Sequence, residues 1–368
     1  MPWMNEDNTE KSILVGLARD SRNKQVVEES LDELAELAVS AGAQVTDKCL
    51  QVRIPDAKYF IGKGFVERLK NDISANGTNL VIFDDPLSPA QQRNLEEACG
   101  VKVIDRSILI LDIFALHART AAAKLQVELA QLEYMLPRLT GAWSHFSRQY
   151  GGIGTKGPGE TQLEIDRRRV RTKIAHLKKE LTRLGKQRRT QRKGRENLFK
   201  VSLIGYTNAG KSTLFNLLTK SSVEVADKLF TTLDSTTRVM SAGFPEKIIF
   251  TDTVGFIRKL PHQLVASFKS TLEETSQADL LLHVIDASDS ANDEKIAQTK
   301  IVLNEINAGN IDTLLIYNKI DKTGEPSGAY EDNTIFYISA LKNKGLQPLR
   351  DTLSDRQRLF LQQFNKVS

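Results

Sequence analysis

The residues best suited to chemistry form a glycine-rich loop of eight residues. A mostly apolar run, Phe199 to Ile204, leads directly into Gly205-Tyr206-Thr207-Asn208-Ala209-Gly210-Lys211-Ser212, and residues 213–219 then have a helical pattern. In this strand–loop–helix context the backbone N–H groups of the loop and the helix N-terminus can wrap a phosphate. We expect Lys211 to reach the β- and γ-phosphates and the Ser212 hydroxyl to bind Mg²⁺.

Three further segments follow in chain order, each at the end of an apolar run. They are Asp252-Thr253-Val254-Gly255, Asn318-Lys319-Ile320-Asp321 and Ser339-Ala340. In the first, Asp252 can orient Mg²⁺ through water and the Gly255 N–H can sense a γ-phosphate.

The last two segments concern the base. Asp321 can accept hydrogen bonds from guanine N1–H and N2–H₂, which adenine does not supply, and such sites reject the wrong base by factors on the order of 10⁴. The backbone of Ser339 and Ala340 can meet guanine O6. The sequence therefore predicts a site for GTP and GDP. Its nucleotide-binding residues are Gly205, Tyr206, Thr207, Asn208, Ala209, Gly210, Lys211, Ser212, Thr213, Asp252, Gly255, Asn318, Lys319, Asp321, Ser339 and Ala340.

Two positions allow alternative interpretations. Phe256 follows Gly255 where many GTPases carry the glutamine that orients the attacking water. It is either a core aromatic beside a strand or the mark of a GTPase that is slow alone and needs a partner. Asn208 either helps to bind a monovalent cation such as K⁺ or only braces the loop.

The pattern of apolar runs predicts the fold class. Residues 12–112 alternate short apolar runs with helical patterns, which indicates a small parallel α/β domain. Apolar residues from Leu111 to Leu136 are spaced by threes and fours, and the pattern resumes from Leu163 to Leu184 with leucine, valine and isoleucine. This spacing predicts two helices of about 30 residues that pair as an antiparallel hairpin. Another α/β pattern begins at Leu198. We therefore predict an N-terminal α/β domain at 1–106, a helical hairpin with a glycine-rich tip loop at 107–196, and a P-loop GTPase domain at 197–368.

The charge is unevenly distributed. The chain of 368 residues has a formal net charge of +5, but residues 138–200 alone carry 18 Lys and Arg against 5 Asp and Glu. Such a segment indicates either one contact with a polyanion or a solvated helix face. With two cysteines and no apolar run long enough to cross a bilayer, the chain is expected in a reducing cytoplasm. Peripheral association with a membrane stays open.

Beyond the nucleotide motifs, the chain resembles the HflX family of ribosome-associated GTPases over nearly its whole length. The most specific stretches run from Gly151 to Arg168 (GGIGTKGPGETQLEIDRR), from Leu111 to Ala118, from Gln126 to Leu132 and from Leu136 to Leu139. The resemblance implies that residues 230–234 are switch I. Thr232 would then be the contact to Mg²⁺ and the γ-phosphate, and it joins Lys211 and Gly255 as a catalytic residue.

The resemblance also implies a partner, the large ribosomal subunit and its rRNA, and a role in splitting or rescuing stalled ribosomes. Glycines and basic residues at 141–160 can approach and neutralise RNA phosphates. The alternative is a flexible loop packed back on the hairpin. The candidate RNA contacts are Arg148, Gly151, Gly154, Lys156 and Gly157.

Two other functions stay open. One is an ATP- or GTP-dependent RNA-remodelling enzyme with ATP at a second site in the N-terminal region. The other is a nucleotide-gated ribosome-binding regulator with little hydrolysis.

Overall fold

The computed structural model describes residues 10–139, 162–192, 197–220, 236–241, 243–259, 274–330 and 333–367. The chain divides into two compact units, one within residues 1–116 and 124–181 and the other within residues 117–123 and 182–368. None of the helices in these described stretches has the length and apolar character that crossing a lipid bilayer requires.

The N-terminal unit contains a four-stranded parallel sheet of order β2-β1-β3-β4. Helices cover both faces, so the central strands are almost entirely apolar. Gly16 lets one helix approach β1 closely, because a Cβ there would lie 2.8 Å from a Val27 methyl carbon. The strands are β1 (Lys11–Ala18), β2 (Gln44–Val52), β3 (Leu80–Phe83) and β4 (Lys102–Asp105), and the helices are α1 (Lys24–Ser40), α2 (Lys63–Asn76) and α3 (Pro89–Cys99).

Two clusters of ion pairs and hydrogen bonds lie at the carboxyl edge of this sheet, and the first surrounds Arg106. Arg106 is 1% exposed, and its guanidinium lies 2.6 Å from the carboxylate of Asp84, which follows β3, and 2.5 Å from that of Glu33 on α1. Its Nη1 also donates to the Ser30 hydroxyl. Four charged or polar groups from three segments are thus joined in one buried cluster.

A second cluster surrounds Asp105 at the end of β4. Its carboxylate accepts hydrogen bonds from the Tyr134 hydroxyl, from the Leu87 N–H at 3.0 Å and from Arg138 at 3.4 Å. Arg138 also donates to the Leu87 carbonyl at 2.8 Å and lies over the Tyr134 ring. Burial, followed by the charge of Asp105, raises the pKa of Tyr134 well above its ordinary range. The end of α5 is therefore fixed to the sheet edge.

The helical region differs from the expectation in two respects. The predicted first helix is divided into α4 (Arg106–His117) and α5 (Ala121–Met135), because Thr120 accepts the Ala123 N–H at 3.1 Å and begins a new helix. The next described helix, α6 (Gln162–Arg192), has the expected length.

The second difference is the direction of the paired helices. Leucines of α5 pack on α6 around Leu129 and Ile174, so the predicted apolar seam is present. However, Glu128 pairs with Lys173 and Glu133 with Lys178. Both pairs have the same offset along the chain, so α5 and α6 run parallel rather than as the antiparallel hairpin that we expected.

The C-terminal unit contains a seven-stranded mixed sheet of order β10-β11-β9-β8-β5-β7-β6. Its strands are β5 (Phe199–Ile204), β6 (Thr236–Met240), β7 (Ile248–Asp252), β8 (Leu280–Asp286), β9 (Thr313–Asn318), β10 (Gly328–Tyr330) and β11 (Ile335–Tyr337). The described helices are α7 (Lys211–Thr219), α8 (Asn292–Glu305), α9 (Ile320–Thr323) and α10 (Leu346–Val367).

The inner strands of this sheet are parallel, while β6 and β10 at its edges are antiparallel to their neighbours. The carboxyl ends of β5, β7, β8 and β9 therefore meet at one edge, the usual ligand-binding edge of an α/β sheet. The multidomain α/β fold class is confirmed, while the domain boundaries at residues 106 and 196 stay predictions.

Candidate nucleotide-binding site

The glycine-rich loop joins β5 to α7. Gly205 has φ +137°, and a Cβ there would lie 2.1 Å from the carbonyl oxygen of Val284. Gly210 has φ +92°, and a Cβ there would lie 2.3 Å from Nδ2 of Asn318. A side chain at either position would collide with the neighbouring strands, so the glycines are what allows the loop to turn tightly ahead of the helix.

Lys211 and Ser212 begin α7 inside this loop. The buried Lys211 ammonium donates to the main-chain carbonyl of Tyr206 at 2.7 Å, and burial lowers the pKa of Lys211 to about 8 against the opposing charge of Asp252. The Ser212 hydroxyl donates to Asp252 Oδ2 at 2.7 Å. A buried ammonium bonded to a neutral carbonyl suits an incoming phosphate. The paired hydroxyl and carboxylate supply the oxygen ligands that Mg²⁺ prefers.

The segment after β7 lies against the loop. Asp252 is fully buried, and Thr253 donates to the Leu203 carbonyl at 2.5 Å, which fixes the segment to β5. Gly255 touches Thr207 so closely that a Cβ on it would lie 2.7 Å from the Thr207 methyl carbon. The second motif is therefore brought directly beside the phosphate loop.

Phe256 continues this contact through its main chain. Its N–H donates to the Gly205 carbonyl at 3.0 Å, and its carbonyl accepts the Thr207 N–H at 2.9 Å. Phe256 is 4% exposed and belongs to an apolar cluster, as the core-aromatic interpretation predicts. This packing does not exclude the other interpretation, slow turnover without a partner, which stays a prediction. The other buried members of this cluster are Ile204, Tyr206, Ala278, Leu281, Leu303, Ile306 and Ala308.

Asn318, at the end of β9, connects three motifs. Its Nδ2 donates to the Ala209 carbonyl at 2.9 Å, and its Oδ1 accepts the Ala340 N–H, also at 2.9 Å. Because Asn318 is buried and bonded on both sides, it holds the phosphate loop and the loop after β11 at fixed positions.

Asp321 lies on the exposed side of the same region. The Ser339 hydroxyl donates to its carboxylate, and this hydrogen bond is the main cause that holds the pKa of Asp321 below its ordinary value. Lys319 adopts a left-handed conformation with φ +67°, and its ammonium lies 2.7 Å from Asp286 Oδ2. An ionised, accessible carboxylate beside a fixed loop has the chemistry that guanine recognition requires.

The structure thus brings together the predicted residues of the four motifs, including Thr213 in the first turn of α7 and the exposed Asn208, whose φ is +60°. Thr232 and the candidate RNA contacts (Arg148, Gly151, Gly154, Lys156, Gly157) lie outside the described residues. Asp286, the partner of Lys319, was not predicted, although it ends the apolar run of β8 as other site residues end theirs.

The fold and this site define a P-loop GTPase, and the comparisons with known proteins agree. Residues 200–319 match a family described as "50S ribosome-binding GTPase". Residues 28–115 match "GTP-binding GTPase N-terminal", and residues 117–195 match "GTP-binding GTPase Middle Region".

Relatives that match most of the chain show which family of P-loop GTPases it belongs to. The chain is 48% identical to GTPase HflX of Escherichia coli over 89% of this chain and 79% of that protein. It is 48% identical to GTPase HflX of Caldanaerobacter subterraneus over 94% and 80%. The crystal structure of SsGBP in complex with GDP is 26% identical, covers 96% of this chain and 100% of that one, and has a TM-score of 0.52. The chain belongs to the HflX family and is a GTPase.

Proposed function

We propose that this GTPase binds the large ribosomal subunit and splits or rescues stalled ribosomes, with slow turnover alone and faster turnover on the ribosome. The relatives are named GTPase HflX, and the family that matches residues 200–319 is described as ribosome-binding. The observation in this chain that carries the proposal is the basic surface of α6. A cytoplasmic location is part of the same proposal.

One side of α6 packs on α5 and the other carries positive charge. Residues 167–186 contain nine Lys and Arg and one acidic residue. Val170, Ile174, Leu177 and Leu181 form the seam with α5. Arg168, Lys179, Arg183 and Lys186 are exposed, and helical spacing places them opposite that seam. A rod with one strongly basic face suits the phosphate backbone of RNA.

We assign the nucleotide chemistry to the residues of the site. Lys211 and the backbone of residues 205–213 would bind the phosphates. Ser212 and Thr232 would hold Mg²⁺, with Asp252 orienting it through water; Mg²⁺ neutralises charge that develops on the phosphates. Asn318, Lys319, Asp321, Ser339 and Ala340 would bind guanine.

The proposed slow turnover rests on Phe256. A phenylalanine cannot hold the attacking water by hydrogen bonding, and its ring is buried in the apolar cluster. The ribosome would then supply, or bring into position, the group that orients the attacking water. We also propose that Asn208 helps to bind a monovalent cation. Equal rates of GTP hydrolysis in K⁺ and Na⁺ would contradict this part of the proposal.

Sedimentation of 70S particles through a sucrose gradient tests the function. We expect free subunits with GTP or a non-hydrolysable analogue, and intact 70S particles with GDP or ATP. Splitting with ATP would favour an RNA-remodelling enzyme, and binding without splitting would favour a nucleotide-gated regulator.

A variant of the basic face and a control variant elsewhere tie the outcome to α6. Changing Arg168, Lys179 and Arg183 together to alanine should weaken subunit binding about tenfold or more at 0.1–0.2 M salt. Arg22→Ala, which removes an exposed arginine from the N-terminal unit, should have little effect. Equal losses in both would argue against the basic surface.

A further inference from the structure

In the part of the chain that the structure describes, the segment after β7 is held in three ways: by the phosphate loop, by an apolar cluster and by α8. The first is the pair of main-chain hydrogen bonds between Phe256 and the residues on either side of Tyr206. Because one of these bonds uses the Thr207 N–H, that donor serves the protein rather than a phosphate oxygen. Gly255, the expected γ-phosphate sensor, is at the same time pressed against Thr207.

The second attachment is the Phe256 ring. It lies in the apolar cluster formed by β5, β8 and α8, with Leu281 and Leu303 among its members. Moving the segment off the loop would withdraw this ring from the cluster, so the attachment favours the present conformation through burial of a large apolar side chain.

The third attachment comes from Arg258, two residues further on. Its guanidinium is largely buried, and Nη2 lies 3.1 Å from Glu294 Oε2 in the first turn of α8. Lys295 on the same turn lies over the Tyr206 ring, 5.1 Å from its centroid. The start of α8 thus holds both the segment after β7 and the phosphate loop.

We propose that Phe256 is a latch, formed by its main chain and its buried ring, that holds Gly255 on the phosphate loop and makes this conformation favour GDP over GTP. The proposal rests on the proposed chemistry of the same site and adds its regulation. A γ-phosphate that engages Thr207 and Gly255 must displace the latch. A ligand shifts a two-state equilibrium only through its different affinities for the two states, so the latch lowers the apparent affinity for GTP more than that for GDP.

Nucleotide affinities of the isolated full chain test this inference. Dissociation constants for fluorescent GDP and a fluorescent non-hydrolysable GTP analogue would be measured with Mg²⁺ and without ribosomes. For Phe256→Ala we expect the ratio of the analogue's constant to that of GDP to fall about tenfold, because the ring no longer opposes release. An unchanged ratio would overturn the latch.

Two further variants distinguish loss of the latch from a general loss of structure. Glu294→Gln weakens the surface attachment without a core cavity, and it should lower the same ratio about twofold. Leu349→Ala truncates a buried leucine of α10 in an apolar cluster of which Phe256 is not a member, and it should leave the ratio unchanged. A fall of the ratio in Leu349→Ala equal to that in Phe256→Ala would overturn the proposal.

This assay does not test the proposed ribosomal function, because it contains no ribosomes. A wild-type chain that bound neither nucleotide would overturn the nucleotide site itself, and the latch with it.

Discussion

Charged residues at the carboxyl edges of the two sheets have different partners. In the N-terminal unit, Asp84 and Asp105 are buried and bonded to arginine side chains of the same unit. In the C-terminal unit, the ammonium of Lys211 donates to a main-chain carbonyl, and the exposed Asp321 accepts from a neutral hydroxyl. The first edge is neutralised by its own side chains. The second has one internal ion pair, Lys319 with Asp286, but Lys211 and Asp321 carry charges that a phosphate and a base can satisfy.

The contrast distinguishes a structural edge, whose charges are paired within the protein, from an edge whose charges can bind a ligand. Ligands of α/β proteins usually bind at the carboxyl ends of parallel strands. Arg106 and Arg138 occupy that position in the N-terminal unit, which disfavours a second nucleotide site at this edge. Four substitutions can break or sharpen the comparison.

Lys211→Ala should have the largest effect. Removing the ammonium takes away charge stabilisation of the transferred phosphoryl group, so GTP hydrolysis should fall about 10³-fold or more. Phosphate release at saturating GTP in the presence of ribosomes would measure it. Lys300→Ala, at an exposed lysine of α8, is the control and should keep its activity. Activity of Lys211→Ala within tenfold of wild type would contradict the assignment.

Asp321→Asn should change which base is bound. The amide no longer accepts both guanine hydrogen bonds, so GDP affinity should fall on the order of 10³-fold, and xanthosine diphosphate should bind better. Competition against fluorescent GDP would measure both. Asp293→Asn on α8 is the control. Unchanged GDP binding in Asp321→Asn would remove this residue from the site.

Arg106→Met should affect stability and leave nucleotide binding alone. The substitution removes the arginine that pairs with the buried carboxylate of Asp84. Breaking a buried ion pair in this way lowers the free energy of unfolding by about 3–5 kcal/mol. Hydrogen exchange should increase in peptides that contain β3 and β4, while GDP affinity stays within about twofold. A large loss of GDP affinity would show that this edge takes part in nucleotide binding.

Asp112→Asn should have the smallest effect, and one that depends on pH. Burial raises the pKa of Asp112 to about 6, and Lys102 and Gln131 offset this only in part. A raised carboxyl pKa stabilises the fold fully below about pH 4, and this stabilisation is lost as the pH rises through 6.

The neutral amide should therefore stabilise the N-terminal unit by about 1–2 kcal/mol at pH 8 and not at pH 4. Hydrogen exchange in α4 at the two pH values measures the difference. The same gain at both would mean that ionisation of Asp112 is not the cause.

Much of the fold followed from local pattern. The limits of β5 were predicted to the residue, because a short, mostly apolar run between turn residues identifies a buried strand. The four motifs were likewise visible, since each ends such a run.

What was not predicted depends on distant partners. The apolar spacing continues from α4 into α5, and only the Thr120 hydroxyl reveals the break. Spacing defines a seam but not the direction of the partner, so the parallel pairing of α5 and α6 required the positions of Glu128 and Glu133. The pairing of Arg106 with Asp84 joins residues that no local pattern connects.

Nucleotide stoichiometry of the full chain tests the contrast between the two edges most directly. Equilibrium dialysis with labelled GDP and labelled ATP would be performed on wild type, Asp321→Asn and Arg106→Met. We expect one GDP per chain, no ATP, and loss of GDP in the variant. A second nucleotide that remains bound to Asp321→Asn and is lost in Arg106→Met would contradict the account.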